Sequence, residues 1–513
     1  MNRLILLLLL TLLTGITGCA TNPVTGKSEL SFVSENQEIA IGEQQYTPTQ
    51  QSQGGLYKVD AALTEYVQQV GNRLAAVSDR DLPYEFVVIN DSTPNAWALP
   101  GGKIAVNRGL LTQLDNEAEL AAVLGHEIVH AAARHGAQSM ERNMLMQGAI
   151  MLTAIGASDS EYGNYIMGGA SIGAQLLSQR YGRGAELESD YYGMTYMVRA
   201  GYDPDAAVTL QEKFVALQNG RSSSWLEGLF ASHPPSEERV MKNAETSAAL
   251  KAAHTGDLVL GREPYQQQLR YLASREEAYR AFDQARTLAA DGEYDVALSR
   301  INKAIALEPR EARFYGQKAG IELSKKNYQV AISDYTEALA LDPEYYNYYL
   351  GRGLSYSRLG DRESARSDLT RSNSLLPTAT ATNELGQLSL LAGDRDSAKN
   401  YFAQVAGAGG ALADAARQNY INLDLEDNPD KYFEAQSSLR KGQFYSQITN
   451  RSGLRVSSAL VDFEATINGE PVRRQLRTGA LEAGASRGLY PGWPLTESDT
   501  IDNVRVRVID VKR

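Results

Sequence analysis

Asn116-Glu117-Ala118-Glu119-Leu120-Ala121-Ala122-Val123-Leu124-Gly125-His126-Glu127-Ile128-Val129-His130 lies in a proline-free stretch, Asn116 to Arg134, rich in alanine and leucine. Such a run reads as a helix, and on a helix residues four apart face the same way. His126 and His130 can then reach one Zn²⁺ ion, while Glu127, next in line, can deprotonate the water that the ion polarises. That arrangement hydrolyses amides. The chain has five histidines, so chance would place a His-acid-x-x-His pattern in it only roughly 0.01 times.

A catalytic zinc takes three protein ligands and keeps one position open. Six residues past His130 stands Gly136. On a continuous helix His135 lies about 140° round from His130 at the ~100° step, which makes it a solvated or capping histidine. The third ligand is therefore sought in Arg183-Gly184-Ala185-Glu186-Leu187-Glu188-Ser189-Asp190. Glu186 and Asp190 share a helix face. Glu186 is the favoured ligand and Asp190 the acceptor for a ligand imidazole's remote N–H, which sets its tautomer. Glu188 stays as the second choice of ligand, and otherwise reads as a solvated charge.

Around this stretch, residues 59–245 read as an α+β unit. Leu63, Val67, Val70 and Leu74 keep helical spacing, and Tyr84 to Ile89 and Lys103 to Val106 read as short strands. Lys103 to Val106 is read in two ways: an edge strand that holds extended substrate by its main chain, or an ordinary hairpin strand. His233 also carries two readings, as a group that stabilises the oxyanion or caps the metal, and as a packed loop histidine beside Pro234 and Pro235. Met144 to Ala157 and Tyr165 to Leu177 are apolar but shorter than a membrane span. They form a hairpin over the cleft or against lipid, or else buried core helices.

Further along, Leu307-Glu308-Pro309, Leu341-Asp342-Pro343 and Leu375-Leu376-Pro377 recur 34 residues apart, as do Ala297, Ala331 and Ala365. That period with small residues and a closing proline is the tetratricopeptide signature. A degenerate unit over 379–405 and a helix near 411–423 would cap the stack. Tyr345, Tyr346, Tyr348 and Tyr349 suit client binding on a concave face, though some must be packing residues. Val461, Phe463, Ala465 and Ile467 then alternate with polar residues before Asn468-Gly469, and Val504, Val506 and Val508 alternate near the end. Period two with an Asn-Gly turn reads as a small β-sandwich over 440–513.

At the other end, Arg3, the apolar run Leu4 to Leu13 and Ile16-Thr17-Gly18-Cys19 form a secretory signal over 1–18 that ends in a pattern resembling a lipobox. Cys19, the one cysteine of the chain, would become a lipidated first residue, anchored by acyl chains at ~0.8 kcal/mol per buried methylene. The resemblance to a sorted lipoprotein, with Ala20 and not Asp after the cysteine, implies the outer membrane, facing the periplasm. The polar residues 19–58 read as a tether and 246–274 as a linker, with repeats over 275–428. The 513 residues are 43% hydrophobic and 22% charged, a globular composition. Fifty basic against 62 acidic residues, a net charge of −12, argue against nucleic acid as a partner.

His126-Glu127-x-x-His130 followed by Arg183-x-x-Glu186-x-Glu188-Ser189-Asp190 resembles metallopeptidase family forty-eight. Asn95 to Gly102 with Gly109-Leu110-Leu111, and Ser232-His233-Pro234-Pro235 through Arg239, resemble further blocks of that family over roughly residues 30–245. The resemblance implies His126, His130 and Glu186 as ligands of one Zn²⁺, Glu127 as general base and Asp190 as the partner of a ligand histidine. Gly182 and Ser189 depart from the family's usual Ser and Ala. The expected architecture is multidomain: an α+β zincin-type metallopeptidase domain, an all-α tetratricopeptide solenoid and a small C-terminal β-sandwich. The expected function is a lipid-anchored periplasmic zinc endopeptidase acting on misfolded or misassembled envelope proteins. The competing reading is a chaperone-like scaffold with a latent or vestigial zinc site.

Overall fold

The computed structural model describes residues 19–143, 181–220, 232–440, 443–493, 495–496 and 498–513. The signal segment 1–18 and the apolar stretches 144–157 and 165–177 lie outside the described residues. The chain divides into two compact units, one reaching Pro377 and one running from Thr378 to Arg513.

In the first unit a three-stranded sheet carries β3 (Glu85–Ile89), β5 (Lys103–Asn107) and β4 (Ala96–Leu99) in that order, β3 parallel and β4 antiparallel to β5. Two hairpin strands, β1 (Cys19–Thr21) and β2 (Ser28–Leu30), precede it. Every residue of β5 is buried. One face packs Phe86, Val88, Ile104 and Val106 on α2 (Ala61–Ala75) and α3 (Glu117–Ala132). The other packs Ile89, Trp97, Leu99 and Ala105 around Tyr46 of α1 (Glu35–Ser52). A strand covered on both faces loses the polar–apolar alternation, so Ile104 to Val106 reads as a plain apolar run. It is the centre of the sheet and not an edge strand, because β3 and β4 take both its hydrogen-bonding sides. The polar composition of residues 19–58 likewise misleads, since α1 is an 18-residue helix opened by a Ser34–Gln37 capping box.

The helices α4 (Arg183–Arg199), α5 (Asp205–Gly220) and α6 (Glu237–Ala253) complete the α+β part. Residues 246–274, read as a linker, hold the end of α6 and α7 (Arg262–Ser274), whose Tyr265 hydroxyl donates to Leu111 O at 2.6 Å.

Six helices follow in hairpins: α8 (Glu276–Ala290), α9 (Tyr294–Leu307), α10 (Ala312–Ser324), α11 (Tyr328–Leu341), α12 (Tyr346–Leu359) and α13 (Arg362–Leu375). Helices α9, α11 and α13 start 34 residues apart, and the repeated Ala297, Ala331 and Ala365 are fully buried where helices cross. This array is fastened to the sheet. Asn90 donates to both carboxylate oxygens of the buried Glu311 at 3.0 Å, and Lys58 pairs with Asp342 at 2.8 Å. Tyr345 and Tyr348 are buried in packing within the array.

The second unit starts with α14 (Ala379–Leu391), α15 (Arg395–Ala406) and α16 (Ala411–Asp427). Two antiparallel sheets follow, built from β6 (Phe433–Arg440), β7 (Gln443–Asn450), β8 (Ser458–Ile467), β9 (Glu470–Arg477), β10 (Ser486–Leu489) and β11 (Ile501–Lys512), in the orders β10-β7-β6 and β11-β8-β9. Asn468 and Gly469 have φ of 53° and 86°, the left-handed pair that a tight β8–β9 hairpin demands. In β11 a register shift between Val508 and Asp510 puts Val508 and Val511 inside, and Val504, at a second shift between Asp502 and Arg505, is exposed.

Candidate metal centre

Helix α3 starts at Asn116, whose side chain accepts the amide of Glu119 at 2.9 Å. All 16 of its residues are buried, so it runs through the core and cannot reorient. It crosses α4 at two glycines: a Cβ on Gly125 would lie 3.1 Å from Gly193 O. Only residues without side chains allow that approach. It places Asp190 and Glu186, about one and two turns earlier on α4, beside the two histidines.

Four donors converge. His126 Nε2 lies 3.0 Å from His130 Nε2 and 3.3 Å from His233 Nδ1, and His233 Nδ1 lies 3.1 Å from Glu186 Oε1. Each histidine of α3 has a Glu186 oxygen at 3.5 Å. His126, His130, Glu186 and His233 are all buried, and their ligand atoms lie within 4.8 Å of one another. Donors about 2.0–2.1 Å from a tetrahedral zinc sit roughly 3.3 Å apart, so the set fits that ion in spacing and in chemistry.

Electrostatics agree. Burial holds the His130 imidazole well below its ordinary value, which leaves it neutral as a ligand must be. Burial also lowers His126, but Glu186 and Asp190 outweigh it and push this imidazole up to about 10. Burial opposes ionisation of Glu186, yet His233 and His126 keep its carboxyl well below the usual range.

The surrounding groups orient these donors. His126 Nδ1 is 2.9 Å from Asp190 Oδ1, and Arg239 grips both Asp190 oxygens at 2.7 and 2.6 Å. Arg239 also lies 2.8 Å from Glu186 Oε2, while Oε1 faces His130 and His233. The Tyr181 ring stacks on His130 at 3.9 Å. Glu127 sits alongside, Oε1 3.5 Å from His233 Nε2 and Oε2 with no hydrogen-bond partner among the described residues. Burial raises its carboxyl above the ordinary range.

Of the residues singled out in the sequence, His126, Glu127, His130, Glu186, Asp190 and His233 all meet here. His233 is buried, with Nδ1 3.3 Å from His126 Nε2 and 3.1 Å from Glu186 Oε1. Two readings are corrected. His135 is neither solvated nor capping, because α3 ends at Ala132 and Arg134 takes φ of 64°, which turns His135 back under His130. Glu188 is not a free solvated charge but lies 3.2 Å from His135. Arg239 and Tyr181 escape the sequence reading. Arg239 stands at the end of the Ser232 to Arg239 block, the one signal that could have found it.

Residues 61–247 match peptidase family M48, and residues 282–346 match the tetratricopeptide repeat. The chain is 39% identical over 184 residues to the mitochondrial metalloendopeptidase OMA1 of Schizosaccharomyces pombe, covering 36% of this chain and 52% of that one. It is 31% identical over 227 residues to the beta-barrel assembly-enhancing protease of Yersinia pestis, covering 42% and 45%. With the protein of that name from Escherichia coli K12 it shares 28% over 329 residues, covering 60% and 67%. The chain thus spans about half the length of the first two relatives. Glu127 and the four donors fall inside the matched segment, and residues 61–247 form a peptidase family M48 domain followed by tetratricopeptide repeats.

Proposed function

We propose that the protein is a zinc-dependent endopeptidase, held by a lipidated Cys19 on the periplasmic face of the outer membrane, that cleaves misfolded or misassembled envelope proteins. The observation that carries the reaction is the buried set His126, His130, Glu186 and His233 with the free oxygen of Glu127 beside it. When bound, zinc supplies Lewis acidity toward water and the scissile carbonyl. Glu127 accepts the proton of the attacking water at Oε2 and returns it to the leaving amine, and its raised carboxyl suits both transfers. Asp190 and Arg239 hold His126 and Glu186 in place. The lipobox pattern supports the address. The relatives named for β-barrel assembly and the repeat array support protein clients.

The centre supports latency as well. With zinc bound, His233 would fill the position that a working site keeps open. Among the described residues a cavity of about 50 Å³ lined by His126, Glu127, Asp190 and His233 adjoins the donors, room for a few waters. His233 therefore acts as a stopper that must swing out, and a chaperone-like role of the repeats operates while it is in.

The test is to purify the chain, measure zinc per chain and follow cleavage of an unfolded protein by wild type, Glu127→Gln and His233→Ala. One zinc in wild type and Glu127→Gln, with a 10²–10⁴-fold lower rate in the latter and a higher rate in His233→Ala, supports the proposal. Equal cleavage by wild type and Glu127→Gln removes the peptidase reading. Bound zinc without cleavage by any variant favours the scaffold.

A further inference from the structure

His135 and Glu188 belong to no step above, yet both are placed with evident care. His130 turns Nε2 to the other donors, 3.0 Å from His126 Nε2. A ring nitrogen that offers its lone pair to a metal requires the proton on the other nitrogen. That other nitrogen, Nδ1, lies 2.9 Å from His135 Nδ1. Two N–H groups cannot face each other at this distance, so His135 Nδ1 accepts and its own proton sits on Nε2. His135 Nε2 in turn lies 3.2 Å from Glu188 Oε1. The rings of His130 and His135 meet edge to face at 72°, and Ser189 Oγ stands 3.4 Å from His135 Nδ1. His135 and Ser189 are buried; Glu188 reaches outward, its second oxygen 3.7 Å from Lys27.

We propose that His135 and Glu188 form a hydrogen-bond relay that fixes the tautomer and ring orientation of His130 for metal binding. The two histidines of α3 are then oriented by different devices. His126 has a carboxylate in direct contact, Asp190, whereas His130 has one acting through a second imidazole. Without the acceptor at Glu188, the His135 proton moves freely to Nδ1 and opposes the His130 N–H. The proton on His130 is then driven to Nε2, where it excludes the metal. His135 and Glu188 are positioning residues, since neither touches substrate or the reacting atoms.

The inference rests on the metal-binding reading of the centre but not on cleavage. The order of donors and acceptors dictates the test. Glutamine at 135 can accept from His130 through its oxygen and donate to Glu188 through its nitrogen; leucine fills similar space and does neither. Zinc affinity of the full chain in detergent is measured by competition with a chelating dye, and cobalt(II) absorption reports the ligand geometry. His135→Leu and Glu188→Leu are expected to bind zinc 10–100-fold more weakly with an altered cobalt spectrum, and His135→Gln and Glu188→Gln to stay within about threefold of wild type. Equal affinities for leucine and glutamine variants overturn the relay, whether both are tight or both weak. If the His135 variants do not fold, the partly exposed Glu188 pair decides alone. A wild type that holds no zinc would refute the metal centre itself, a separate outcome.

Discussion

A Cβ placed on Gly193 would lie 3.0 Å from the amide nitrogen of His126, so α3 and α4 cross backbone against backbone at the metal centre. The ligand on one helix and those on the other are held in register by an absence of side chains. Gly193→Ala is expected to force the helices apart, with a cost of about 1–3 kcal/mol to folding and weaker zinc binding. Urea unfolding alongside chelator competition checks both, and an unchanged zinc affinity would show that the crossing tolerates the methyl group.

Arg239 neutralises two buried carboxylates, those of Glu186 and Asp190. Arg239→Leu leaves both with histidine partners alone, and the metal-free protein should lose about 3–5 kcal/mol. Zinc restores a cation next to Glu186. The loss measured by urea unfolding should therefore be smaller with zinc than with chelator, and equal losses would place Glu186 outside the metal's reach.

Asn90 joins the sheet to the repeats through Glu311, which also accepts from the Tyr279 hydroxyl at 2.8 Å. Asn90→Ala withdraws two of the bonds that satisfy a carboxylate only 1% exposed, at a cost of about 1–3 kcal/mol. Limited proteolysis should then cut faster between residues 254 and 275. A cutting rate like that of wild type would mean that Lys58, with Arg313 donating to Gly54 O at 3.1 Å, holds the joint unaided.

In the second unit Asp424 accepts from Tyr432 at 2.5 Å and Asn428 at 2.7 Å and pairs with Lys399. Burial raises its carboxyl, but these partners outweigh burial and hold it below the usual range. A carboxyl depressed in the folded state contributes stability above its unfolded value, about 3.9, and that contribution is lost as pH falls through the folded value. Asp424→Asn should therefore destabilise this unit near pH 7 and flatten its acid unfolding below about pH 4. Melting followed by tryptophan fluorescence, with Trp493 packed on Phe444 in this core, measures both limbs.

Local patterns carried much of this architecture. The four-residue spacing of His126 and His130, the 34-residue step of the small alanines and the Asn468-Gly469 turn each depend on a short stretch of chain. What escaped them depends on where separate elements meet. His135 was misplaced because a helical wheel assumes that the helix continues, and Arg134 at positive φ ends it. Glu188 followed, since its role exists only once His135 is turned inward. Arg239 looks like any basic residue of a polar helix until α6 packs on α4 and closes it over Asp190. The buried strand β5 hid its central place because double-sided burial erases the period-two signal.

On the proposed lipid anchor, the N-terminal hairpin would set a working height. Asn22 Nδ2 donates to Ala133 O, at the end of the helix that bears both histidines, and Asn22 is only three residues from Cys19. Three residues span at most about 10 Å. With the proposed acyl chains on Cys19, the catalytic helix would be moored within that distance of the lipid surface, so cleavage would be confined to segments of a client that emerge at the membrane, and chains free in the periplasm would have to come to the bilayer to be cut.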